Sequence, residues 1–321
     1  MDKIVHTPVY EVMPYTSQFA PRWNEFVKSA RNSTFLFERG YMDYHADRFR
    51  DCSWIALKNG RVAALLPGNV DEDMILHSHG GLTYGGWILP QGHIDGSDLL
   101  HIFEVAVETW RSREISVLDY KPLPFIFADK PSQEDIYALF RLGAEQTECN
   151  LSAAIDLREE VKFNQLQRRH LKKALQLPGL KISETEDIEA FMSMLGECLA
   201  ERHGVKAVHT AGEISLLKSR FPENIHFFVS KIEGQPQAGI CIYDCGATVH
   251  AQYIATTALG RELNLLTPLV AHIIEKYADR RFLDFGISNE DHGLVLNEGL
   301  LRQKYSYSAT GVAYTRWSLK L

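Results

Sequence analysis

A chain of 321 residues exceeds the roughly 100–200 residues of one ordinary domain, so two domains are expected. Hydrophobic residues at 45% and charged residues at 23% are the balance of a folded protein with real cores, which excludes wholesale disorder. The net charge of −7 excludes a broad DNA-binding surface, because gripping phosphate backbones needs clustered positive charge.

No run approaches the ~20 apolar residues that cross a bilayer, so no membrane span is expected. The opening MDKIVHTPVYEVMPY lacks the apolar core of a signal peptide, and the expected location is the cytoplasm. The five cysteines, Cys52, Cys149, Cys198, Cys241 and Cys245, are odd in number and scattered. Cys241 and Cys245 stand four apart with no second pair to complete a zinc site, so all five read as reduced structural thiols.

Ala20–Ala30 puts Trp23, Phe26 and Val27 at helical spacing after a proline suited to a first turn. The aromatics of Ser33–Phe49 read as core. Trp54–Pro67 is a hairpin, two apolar runs joined through Asn59-Gly60, which supplies the positive φ angles of a tight turn. Ile75–Ile88 reads as a strand pair or kinked strand whose four glycines permit bulges. His77 and His79 share a strand face, but no third ligand stands at a recognisable spacing, so no metal is expected. A helix over Asp98–Arg111 follows, with Ser97 as its expected N-cap. Ile115–Tyr120 is a buried strand, Gln133–Leu142 a helix, and Asn150–Leu157 a strand closing the first domain.

The second half repeats the plan. Val161–Leu175 is a basic helix, Leu180–Ser183 a strand, and Ile188–Arg202 and Ala211–Arg220 are helices. Phe227–Lys231 and Gln237–Tyr243 form a hairpin turned at Gly234. Val249–Ala255 is a strand, Thr267–Ala278 a helix, and Phe282–Phe285 a strand whose Leu283-Asp284-Phe285 echoes Leu118-Asp119-Tyr120. Hairpin, helix and Leu-Asp-aromatic strand in one order imply an internal duplication. The class is α/β, in the sense of an α+β mixed sheet.

Three places read as chemistry. Thr267 is expected to cap its helix with Pro268 in the first position, so that Leu266–Pro268 offers free amides and a dipole to a pyrophosphate. Arg168, Arg169, Lys172 and Lys173 are clustered over two helical turns and suit phosphate or a sugar nucleotide. Arg281–Ala309 reads as strand, loop, short helix, strand, an order that would converge Asp284, Glu298 and Lys304.

The closing segment resembles that of the FemAB-like transferases, which are tandem GNAT-type acyltransferases. Leu283-Asp284-Phe285-Gly286, Gly299-Leu300 and Lys304 match; Gln303 stands where that pattern has phenylalanine, and Tyr307-Ser308 where it has Phe-Gly. Arg168-Arg169, Leu171, Lys172-Lys173, Ala174 and Gly179 match a second family stretch, with His170 in place of an asparagine. Gly80–Gly86 with Tyr84 is similar to a stretch that helps build the acceptor groove.

The resemblance implies two tandem GNAT-like domains, 1–158 and 159–321, the later one carrying the main site where two strands splay and acyl-CoA enters. It implies acetyl-CoA or another acyl-CoA as donor and an amine of a sugar, nucleotide sugar or small metabolite as acceptor, within polysaccharide biosynthesis. Of the usual glycine cradle only Gly260 and Arg261 stand here. Asp284 or Glu298 would then be the base, Lys304 would stabilise developing negative charge, and Tyr253 or Tyr305 would protonate the leaving group. An alternative donor is aminoacyl-tRNA, as in peptidoglycan bridge synthesis, the one reading in which tRNA is a partner. A third reading is a degenerate, non-catalytic GNAT pair serving as a binding module.

Overall fold

The computed structural model describes residues 8–92, 94–203 and 206–321. Two units emerge: one runs to Cys149 and resumes over Tyr314–Leu321, the other is Asn150–Ala313.

In the first unit β1 (Tyr10–Pro14) is followed by α1 (Ala20–Ser29), which buries Trp23 and Val27, and by the single turn α2 (Arg39–Met42). β2 (Trp54–Lys58) pairs antiparallel with β1 and with β3 (Arg61–Leu66). Asn59 and Gly60 join the hairpin with φ of 52° and 74°, the paired positive values such a turn demands. A second sheet starts from β4 (Asn69–Val70) and β5 (Ile75–His77). The expected strand over Ile75–Ile88 stops at His77, and the rest is loop. α3 (Gly96–Arg111) lays Leu99, Ile102, Phe103, Ala106 and Trp110 into a core with Trp54, Trp87 and Leu118. Its cap is Asp95 rather than Ser97: Asp95 and Asp98 form a reciprocal capping box, which places a carboxylate at the positive end of the helix dipole. β6 (Val117–Tyr120) pairs in parallel with β5, and α4 (Glu134–Arg141) closes the layer.

β7 (Glu145–Asp156) changes unit midway. The second unit continues with α5 (Gln165–Ala174), β8 (Lys181–Glu184), α6 (Ile188–His203) and α7 (Ala211–Arg220). β9 (Ile225–Ile232), β10 (Gln235–Asp244) and β11 (Thr248–Thr256) form an antiparallel meander. Then come a short helix that spacing did not predict, α8 (Ala258–Glu262), then α9 (Leu266–Lys276) and β12 (Phe282–Ile287). A two-strand clip of β13 (Asn289–Glu290) and β14 (Val295–Leu296) leads to α10 (Glu298–Tyr305) and β15 (Thr310–Lys320). The sheet of this unit runs β7-β12-β11-β10-β9-β8. α9 packs Leu269, Val270 and Ile273 on the face of Ala238, Ile240 and Ile242. On the opposite face α6 comes so close that a Cβ on Gly239 would meet Phe191 and Met194 at 2.7 and 2.8 Å.

The duplication is visible in register. β5 pairs Leu76 with Leu118 and His77 with Asp119; β11 pairs Val249 with Leu283 and His250 with Asp284, again in parallel. The antiparallel neighbour of β6 is β15, and that of β12 is β7. The strand after α4 thus pairs in the second unit and the strand after α10 in the first.

Candidate active site

In the second unit β11 and β12 pair over only three rungs, Thr248–His250 against Phe282–Asp284. Beyond them β11 stays with β10 while β12 stays with β7. Two local features drive the divergence. The β10 ladder shifts register between Cys241 and Ile242, which leaves Gln252 as an extra residue in β11, and such a bulge bends its strand. In β12, Gly286 turns at φ 74°.

The gap is a cleft lined by Ile254 and Thr256 of β11, Phe285 of β12, and Gln303 and Lys304 of α10, together with Leu266 and Val270 of α9 and Cys198 and Leu199 of α6. α6 and α9 lie on opposite faces of this sheet, so the cleft passes through it. It opens onto a second hollow with which it shares Thr256, Leu266, Gln303 and Tyr307. That mouth adds Gly260, Arg261, Asn264 and Thr267, with His170 of α5 and Arg302 of α10. The result is an apolar throat behind a cationic mouth.

The α8–α9 corner owes its shape to close packing. A Cβ on Gly260 would sit 2.1 Å from the Gln237 carbonyl oxygen, so only glycine fits. Thr257 caps α8, its Oγ1 accepting from the Gly260 amide at 3.0 Å and donating to Gln237 Oε1 at 2.6 Å. Thr267 is not the cap of α9: that helix starts at Leu266 without a side-chain cap. Thr267 Oγ1 instead donates to Gln167 Oε1 at 2.7 Å, and Pro268, third in the helix, is buried. Arg261 Nη1 donates to the Thr256 carbonyl at 2.7 Å, which holds the guanidinium at the mouth.

Lys304 is 5% exposed. Its Nζ donates to the carbonyls of Gly286 and Ile287, each at 2.7 Å, and so clasps the diverging end of β12. Burial pulls its pKa down to about 8, against the opposing pull of Asp284. Asp284 is fully buried; Oδ1 accepts from Ser152 Oγ at 2.5 Å, and Oδ2 bonds His250 Nδ1 at 2.7 Å. Tyr253 is half-buried, its hydroxyl accepting from the His209 amide at 3.2 Å and lying 2.5 Å from His209 Nδ1. Glu298 and Tyr305 are exposed, Glu298 pairing with Arg302 at 3.2 Å.

Arg168, Arg169 and Lys172 lie exposed on α5, Arg168 beside a separate groove with Phe163 and Ala271. Tyr84 belongs to the first unit, where it is buried, donates to Thr34 Oγ1 at 3.3 Å and meets Phe37 edge-on. There the glycines serve a different end. Gly85 donates to the Lys121 carbonyl and the Trp87 amide to the Tyr120 hydroxyl, both at 2.8 Å, so the chain itself fills the space beside the end of β6. A Cβ on Gly85 would lie 1.7 Å from the Ser78 carbonyl oxygen. Among the described residues no cluster of three or more His, Cys, Asp or Glu side chains is arranged to hold a metal.

The His250–Asp284 pair was missed from the sequence. Its signal was there: Leu76-His77 precedes Leu118-Asp119 as Val249-His250 precedes Leu283-Asp284.

Residues 162–292 match the family described as Acetyltransferase (GNAT) domain. No curated protein matches the chain by sequence. Among solved structures, the crystal structure of FemX is 12% identical, covers 97% of this chain and 97% of its own, and superposes with a TM-score of 0.71. The C-terminal domain (DUF2156) of a putative lysylphosphatidylglycerol synthetase from Agrobacterium fabrum is 11% identical, with coverages of 94% and 93% and a TM-score of 0.62. A tandem GNAT protein from the clavulanic acid biosynthesis pathway is 11% identical, with coverages of 97% and 98% and a TM-score of 0.54. Residues 162–292 are thus a GNAT acyltransferase domain, set in a chain whose fold is that of the FemAB-like tandem GNAT proteins.

Proposed function

We propose that the protein is an N-acyltransferase that moves an acyl group from acyl-CoA, acetyl-CoA in the simplest case, to an amine on a sugar, nucleotide sugar or small metabolite. The observation that carries this reading is the cleft through the sheet of the second unit, apolar within and cationic at its mouth. A thioester is apolar and needs exclusion from water, whereas a pyrophosphate needs positive charge and helix amides. Arg261 and the Leu266–Thr267 end of α9 supply the mouth, and Lys304 shapes the throat. The edge of β11 that leaves β12 beyond His250 offers backbone amides to a carbonyl oxygen as it gains negative charge.

Acetyl-CoA at about a hundredfold over its dissociation constant should raise unfolding stability by roughly 2.7 kcal/mol, read as a rise in melting temperature. Arg261→Ala should diminish that rise. No shift with acetyl-CoA or longer acyl-CoAs would remove the proposal.

A second reading takes aminoacyl-tRNA as donor. It is favoured by the exposed run of Arg168, Arg169, Lys172 and Lys173 on α5, a suitable grip for phosphates. A tRNA gel shift that weakens steeply with salt would support it. Among the described residues no helix is long and apolar enough to cross a membrane.

A further inference from the structure

The throat of the second unit encloses about 180 Å³, and the mouth hollow beside it about 490 Å³. The mouth has room of its own for the polar arm of a thioester donor, which leaves the throat to the acyl group. An acetyl group brings one methyl beyond its carbonyl, whereas a dry apolar cavity of roughly 150 Å³ takes up benzene, with its ring of six carbons. The throat is thus roomier than acetyl needs. The mouth takes in the Leu266–Thr267 end of α9, and α6 packs on the opposite face of the sheet. Leu199 of α6 is therefore the wall that an entering chain meets last.

The walls decide what kind of chain fits. Leu199, Ile254 of β11, Val270 of α9, Phe285 of β12 and Leu300 of α10 present hydrocarbon from five different elements. Lys304 Nζ is bonded to the carbonyls of Gly286 and Ile287, and the Tyr307 hydroxyl is held by Thr267 and Gln303. No carboxylate stands among the described residues that line the throat. The acid beside Phe285, Asp284, is fully buried, with one oxygen on Ser152 and the other on His250. A positively charged acyl group would meet Lys304, whose pKa of about 8 keeps it cationic at neutral pH, and no counter-ion. Stripping an ammonium of water without a partner is costly. An aliphatic chain, by contrast, gains with each methylene it buries.

We propose that the throat selects an uncharged aliphatic acyl group of about six carbons, in preference both to acetyl and to an aminoacyl group, with Leu199 as the residue that sets the length. This selectivity rests on the acyl-transfer reading of the cleft and names the donor class which that reading leaves open.

Isothermal titration calorimetry on the full chain with CoA and its acetyl, butanoyl, hexanoyl and decanoyl thioesters tests the length. Each added methylene should tighten binding by about fourfold until the throat is full, roughly a hundredfold or more from acetyl to hexanoyl, with little further gain for decanoyl. Glycyl-CoA and propanoyl-CoA have the same shape, an ammonium in one standing where the other has a methyl. At about pH 6.5, where an α-amine is protonated, glycyl-CoA should bind about tenfold or more weakly than propanoyl-CoA. Leu199→Trp should cut the hexanoyl-to-acetyl affinity ratio by about tenfold or more. If acetyl-CoA binds and longer chains bind no tighter, or if glycyl-CoA matches propanoyl-CoA, the selectivity is overturned while the acyl-CoA reading stands. A gain that continues at the same rate through decanoyl overturns the length limit. An unchanged ratio in a Leu199→Trp protein that melts as the native chain does overturns the role of Leu199; should that variant fail to fold, the thioester series on the native chain decides. If neither CoA nor any thioester binds, the donor reading falls and the selectivity with it.

Discussion

Lys304 shows how one buried amine can serve a fold at a cost that depends on pH. Its two acceptors are backbone carbonyls, and a neutral amine has two N–H groups to give them, so the clasp survives loss of the proton. Carrying the charge is what burial penalises. The folded pKa of about 8 lies below the ordinary 10.5. Between those values the unfolded chain binds more protons than the folded one, so stability rises with pH across that window. Below pH 8 both states are protonated and the full penalty applies. Lys304→Met has no such group. The stability of the native protein relative to this variant should therefore grow by up to about 3 kcal/mol from pH 8 to 10.5, measured by urea unfolding at a series of pH values. A flat difference would mean that the ammonium is well solvated. Asp284 is an acid with no exposed surface, its two oxygens engaged by Ser152 and His250.

At the scale of elements, the α8–α9 corner is where a single methyl decides whether the mouth forms. Gly260→Ala must push α8 off β10, since the nearest atom is a backbone carbonyl 2.1 Å from the new carbon. The expected result is a loss of about 1–3 kcal/mol and of acetyl-CoA stabilisation in the thermal-shift assay. Gly212→Ala in α7, with open space around the new carbon, should instead raise stability by about 0.5–1 kcal/mol. If both variants behave alike in chemical denaturation, the contact at Gln237 is not what holds the corner. Local rules read much of this layer: Asn59-Gly60 announced its hairpin, and Trp23, Phe26 and Val27 their helix. They failed where the deciding partner is remote. Thr267 looked like a cap, but its hydroxyl is claimed by Gln167, a hundred residues away, and helix propensity says nothing of that. Gly80–Gly86 looked like room for a ligand; the room is taken by the chain itself. The His250–Asp284 rung joins residues 34 apart and becomes visible only once β11 and β12 are set side by side.

For the whole molecule, duplication has produced two copies with one register and different fates. In the first, the cleft beside β6 is filled by Gly85–Trp87 and the His–Asp pair is sealed by Arg316, a residue from the far end of the chain. In the second, the strands part and the pair rests on a serine. The closing strand therefore bears on the first unit's stability. Arg316→Ala leaves Asp119, 8% exposed, with a buried carboxylate held by His77 alone. Because Arg316 is partly open to solvent, the expected loss is about 2–3 kcal/mol, below the range for a fully buried pair. Arg316 and His77 hold the Asp119 carboxyl well below the usual carboxylate range. Such a depressed pKa contributes stability above the unfolded value, lost as pH falls through the folded one. The Arg316→Ala deficit should accordingly be full at neutral pH and shrink below about pH 4. Hydrogen exchange locates the effect. Amides of β5 and β6 should exchange faster in the variant, while those of β11 and β12 keep their protection, because the second unit draws its matching strand from β7. Equal loss of protection in both units would mean that they unfold as one, and that β15 is a strut for the whole chain.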